Sequence, residues 1–137
     1  MANTLYNIAR KQFLEAQINW DTDDIKCRLI KTSEYSFSAT HVNMTDIPGS
    51  SRVGSEMTLT TSVTNEGAAD ANDVTFAAVE SGHQIGAIII YKQDSGGTDA
   101  DTVMIAYLDT ATGLPITSNG GDIIVTWDNG VNRIFRL

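Results

Sequence analysis

The sequence predicts a mainly β fold, an antiparallel β-sandwich or jelly-roll-like barrel of about seven or eight strands with one N-terminal α-helix. Three observations predict it. The runs Ile85 to Tyr91 and Val103 to Leu108 are apolar at nearly every position, as strands buried on both faces are. Ile25, Cys27 and Leu29 alternate with Lys26 and Arg28, and Met57, Leu59, Thr61 and Val63 alternate with Thr58, Thr60, Ser62 and Thr64, which is the period of half-buried strands. Asp128-Asn129-Gly130 separates Ile123–Trp127 from Val131–Arg136, and Asn-Gly between such runs predicts a hairpin because both residues tolerate positive φ. No repeat or linker divides the chain, so residues 1–137 are expected to form one domain, with a helix over about 4–18 and a β unit over about 25–137.

In chain order, Thr4 can cap a helix whose Leu5, Ala9, Gln12, Phe13 and Ala16 share one face, expected to dock on the sheet. Leu14 and Ile18 project from nearly the opposite side, beside Arg10 and Lys11. That surface reads either as ordinary scattered aliphatics or as a face waiting for a partner. The strand at Ile25–Leu29 turns Cys27 inward, as a small hydrophobe rather than a nucleophile. Residues 32–55 are polar and turn-rich and read as a long surface excursion, with a short helical turn before Pro48. From Met57 the strand pattern returns, with a hydroxyl-rich outer face that includes Thr58 and Thr60. Asn65-Glu66-Gly67 reads as a turn, and Val74, Phe76 and Ala78 continue the inward pattern. The segment Asp94 to Asp101 reads as a mobile acidic hairpin loop between the two most buried strands, and the terminal strands are expected to supply core.

Composition narrows the chemistry. Nine basic against seventeen acidic side chains leave a net charge of −8, which repels phosphate backbones and argues against nucleic acid as a partner. No segment approaches the ~20 apolar residues of a membrane span, and the N-terminal stretch lacks the apolar run of a signal peptide, so no membrane association is expected. The single cysteine excludes an intrachain disulfide and a multi-cysteine zinc site.

Candidate chemistry is sparse. His41 and His83 stand in separate segments, neither with a second ligand at metal spacing. The acidic loop lacks the fixed ligand spacing of a calcium site. There is no nucleophile elbow, phosphate loop or dinucleotide fingerprint, and no carboxylate pair that sequence alone can place across a cleft. Trp20, Tyr91, Tyr107 and Trp127 could stack on a sugar, but within strands aromatics ordinarily serve as core. No catalytic residue, cofactor or metal is expected.

The segments MANTLYNIARKQFLEAQINW, NDVTF, IIIYK, AYLDTATGLPIT and NGGDIIVTWDNGVNRIFRL resemble a family of small structural proteins of tailed bacteriophages, over most of the chain. The most distinctive stretches are TATGLPIT and the terminal segment around WDNG. The family is similar to capsid decoration, or cement, proteins, which sit on the outside of an icosahedral head, often as trimers. The resemblance implies a non-enzymatic virion protein, made in the host cytoplasm, that self-associates and bridges subunits of the major capsid protein. The residues expected to make such contacts are Arg10, Lys11, Leu14 and Ile18 on the helix, and Thr58 and Thr60 on the hydroxyl-rich strand. A tail, baseplate or fibre component contacting the host surface is the second reading. A polysaccharide hydrolase is the third, and lacks a visible acid/base pair.

Overall fold

A computed structural model describes residues 3–137. The mainly β class with a single helix is observed: all strand pairings are antiparallel, and one α-helix precedes most of the strands. Among the described residues there are twelve strands in place of the seven or eight expected, because the runs at 57–64 and 85–91 are each split in two and the two-residue strands Thr4–Leu5 and Ile116–Thr117 lie outside any predicted strand.

The central sheet has the order β1-β9-β8-β2-β3, formed by β1 (Thr4–Leu5), β2 (Ile25–Ile30), β3 (Arg52–Thr58), β8 (Ala87–Gln93) and β9 (Thr102–Leu108). The two dense apolar runs become its central strands, and β9 is buried along its whole length. Alternation sends Ile88 and Ile90 to one face and Ala87, Ile89 and Tyr91 to the other. Opposite Ile90 and Tyr91 the register slips by one residue in β9, so Ile105 and Ala106 both lie on the first face and Met104 and Tyr107 on the second.

The first face is covered by a broken second layer. It comprises β4 (Thr61–Val63), β5 (Ala68–Ala71) and β12 (Phe135–Arg136) in one small sheet, β6 (Val74–Phe76) with β11 (Ile123–Val125), and β7 (Gln84–Ile85) with β10 (Ile116–Thr117). Ala69, Ala71, Val74, Phe76 and Trp127 pack there against Ile25, Cys27, Leu29 and Ile90. Two indole N–H groups fasten the second layer. That of Trp20 donates to the carbonyls of Ser62 (3.1 Å) and Asp70 (2.9 Å), which ties β4 to β5, and that of Trp127 donates to Asn72 O at 3.0 Å.

The second face corrects the expectation of a surface excursion at 32–55. Tyr35, Met44 and Ile47 are buried against Ile30, Ile89, Tyr91 and Met104, so this segment is the second cover of the sheet. A strand apolar on both faces requires such a cover, and the polar residues between the anchors hid it. The expected helical turn is present as a 3-10 turn at Met44–Asp46, and β3 begins at Arg52, inside the predicted excursion. Arg52 binds the cover down through the carbonyls of Met44 and Ile47 and the carboxylate of Asp99 (2.8 Å).

Other expectations need revision. The helix, α1, spans Asn7–Leu14 only: Thr4 is in β1 and caps nothing, and Tyr6 N–H donates to Ile105 O at 2.9 Å, so sheet pairing takes the residues propensity gave to the helix. Ala16, at φ 58°, lies outside it. Val63 is 57% exposed instead of inward, and Ala78 is exposed at a positive φ. Asp94 to Asp101 is an internally bonded turn, with Asp101 accepting from the Thr98 hydroxyl at 2.7 Å. The Asn129-Gly130 hairpin is not formed: β11 pairs with β6 and β12 with β5, so the two runs it was to join lie in different sheets. Apart from the buried Trp127, the terminal block is consequently a half-buried rim rather than core, with Ile124 67% exposed.

Candidate interaction surface

The two layers do not close at the β1 edge. There α1 lies between them, with Ala9 fully buried and the Phe13 ring 5.7 Å from that of Phe135 in β12. Beside α1 a groove of about 760 Å³ opens between β1 and β12. Ala106 and Leu108 of β9, Phe13 and Ile134 give it an apolar lining, and Arg10, Leu14, Arg136 and Leu137 line it as exposed residues. A second groove of about 710 Å³, lined by Ile124 to Asp128, shares Asn3, Leu108, Asn132 and Ile134 with the first. Asn3 is fixed by accepting the N–H groups of Asp109 (2.9 Å) and Thr110 (3.1 Å).

Charge distinguishes this edge from the remaining surface. Six of the nine basic residues have a carboxylate within ion-pair distance: Lys26, Arg28, Lys31, Arg52, Lys92 and Arg133. The other three are Arg10, Lys11 and Arg136, and among the described residues none has such a partner. Arg10 is held only by neutral oxygens, Oδ1 of Asn7 and Oγ1 of Thr4, each at 3.3 Å. Two of the three line the first groove, Lys11 is adjacent to Arg10, and no acidic side chain lines that groove. In a chain with almost twice as many acids as bases, this is a local inversion of sign.

The six expected contact residues therefore divide. Arg10, Lys11 and Leu14 lie together, and Leu14 is 90% exposed. Ile18 is not part of that surface: α1 stops at Leu14, and the chain turns Ile18 into the main core, where it is 6% exposed. Thr58 and Thr60 are exposed but belong to the β3 side, the opposite edge of the sheet. Sequence reading missed Arg136, Leu137 and Asn132. Their approach to α1 depends on β12 pairing with β5, for which the local sequence carries no signal; the available hint was a cation near the end of an acidic chain.

The remaining candidates are structural. Tyr91, Tyr107, Trp20 and Trp127 are buried, as core aromatics are. His41 Nδ1 is 2.8 Å from the Tyr35 hydroxyl, itself 2.9 Å from that of Tyr6, and burial drives the Tyr6 hydroxyl far above its ordinary pKa. His83 lies elsewhere, near Glu80. Among the described residues no cluster of three His, Cys, Asp or Glu side chains is placed to hold a metal, and no helix is long and apolar enough to cross a membrane. No protein-family model matches the chain, and no curated protein matches it.

Proposed function

We propose that the protein is a non-enzymatic virion protein, a capsid decoration or cement protein that self-associates, with a trimer favoured, and stabilises a phage head by bridging major capsid protein subunits on its outer surface. The observation that carries the reading is the open edge, where an apolar groove, a fully presented Leu14 and three unpaired cations lie together. Exposed apolar area rimmed by charge is the composition of a protein contact. The likeness of the terminal and helical segments to tailed-phage structural proteins supplies the setting.

The mechanism is mass action. A protein that binds the assembled lattice but not loose subunits stabilises the lattice by about 2.7 kcal/mol per site at a hundredfold excess over Kd. Linking several copies makes the later contacts intramolecular. Adding the protein to undecorated heads is expected to raise their thermal rupture temperature. Saturating protein that leaves this temperature unchanged would refute the reading, and labelling at the tail tip instead of the head would replace it with the baseplate or fibre alternative.

A further inference from the structure

We infer that the groove between β1 and β12 takes an extended segment of a partner protein that carries both apolar and acidic side chains, added as a strand at the open edge of the central sheet. This rests on the reading of that edge as a partner contact, and names the chemistry of what it contacts.

Three independent features point to such an occupant. The lining selects for sign: Arg10 and Arg136 have no carboxylate partner, and no acidic side chain shares the groove, while the six cations elsewhere are each paired. An occupant bearing carboxylates completes these two guanidiniums; a cationic one meets uncompensated like charge. The floor selects for apolar side chains, since Phe13, Ala106, Leu108 and Ile134 present carbon to the opening. The backbone selects for an extended chain. Tyr6 N–H is donated to Ile105 O, so strand alternation turns the N–H and C=O of Leu5 away from β9, toward an outer edge on which no further strand lies among the described residues and whose next outward group, Asn7 N–H, is donated to Ala39 O at 2.9 Å. Among the described residues the Leu5 carbonyl receives the Thr4 hydroxyl alone, at 3.3 Å. Strand addition supplies backbone hydrogen bonds for affinity and alternate side chains for selectivity.

Short end-blocked fluorescent peptides of alternating Val and Glu, Val and Lys, and Ser and Glu, titrated against the intact protein by anisotropy, test the inference. The Val–Glu peptide is expected to bind more tightly than either other peptide, and to weaken as salt screens the guanidiniums. Arg10→Glu combined with Arg136→Glu is expected to reduce its affinity by roughly tenfold or more, with an unchanged melting midpoint because both side chains are exposed. The corresponding double lysine variant should retain most of the binding. Equal affinity for the Glu and Lys peptides, measured on the unsubstituted protein, would overturn the inference without reliance on any variant. So would a concentration-dependent dimer that the charge reversal abolishes, which would assign the groove to a second copy of this chain. Stabilised heads with no peptide selectivity would defeat this inference and spare the cement reading; selective peptide binding without head stabilisation would do the reverse.

Discussion

Cys27 shows how completely a side chain is set by its strand. Its position on the inner face of β2 leaves the thiol with no exposed surface, and burial pushes its pKa up to about 12. A water-soluble thiol reagent at neutral pH is expected to leave it unmodified in the folded protein and to modify it fully in denaturant. Glu56 behaves oppositely. The Tyr91 hydroxyl, then Lys26 at 3.0 Å and Arg28, hold its carboxyl below the usual carboxylate range. A depressed folded-state pKa contributes stability above the unfolded value, near ~4.3, and that contribution is lost as pH falls through the lower folded value. Glu56→Gln is therefore expected to lower the melting temperature at neutral pH and to flatten its decline on the acid side, as thermal melts across that range would measure. The alternation at Lys26, Cys27 and Arg28 made the inward cysteine legible in the sequence. The carboxylate facing Lys26 and Arg28 was not, because β3 carries two extra residues between the partners of Cys27 and Leu29, with Gly54 at φ 69° among them.

At the scale of elements, the strands buried on both faces were the most legible part of the fold, since continuous apolar runs leave few alternatives to a central position. What covers them was not legible: the cover at 32–51 has no period and is anchored at isolated points. If it is a structural layer, Ile47→Ala should cost about 2–5 kcal/mol, as a core truncation does, by denaturant unfolding. A free loop would cost almost nothing. Glycine positions separate the expected hairpin from the observed topology. Gly130 does not adopt a positive φ and meets only the Asp128 carboxylate, so Gly130→Ala is expected to change stability by ~0.5 kcal/mol or less. A Cβ on Gly86 would overlap the Thr32 hydroxyl and lie 3.1 Å from the Thr32 Cβ, too close for that short side chain to yield, and Gly86→Ala should cost about 1–3 kcal/mol. Local turn chemistry read Asn129-Gly130 as a hairpin, and pairing across some sixty residues prevailed.

For the whole molecule, the two aliphatics once placed on one helix face give opposite outcomes. Leu14→Asp is expected to preserve the fold and abolish binding to capsids, whereas Ile18→Asp, which buries a charge in the main core, should unfold the domain; circular dichroism and head-binding assays on the pair distinguish these. The open edge also carries a kinetic consequence. Its walls come from pairings between residues far apart in the sequence, Thr4 with Tyr107 and Phe135 with Ala69. Such distant pairings make folding slow, and this surface is complete only when both have formed. A partly folded chain that lacks either pairing has a partial sheet and no groove, so recognition is withheld from incompletely folded copies by topology alone.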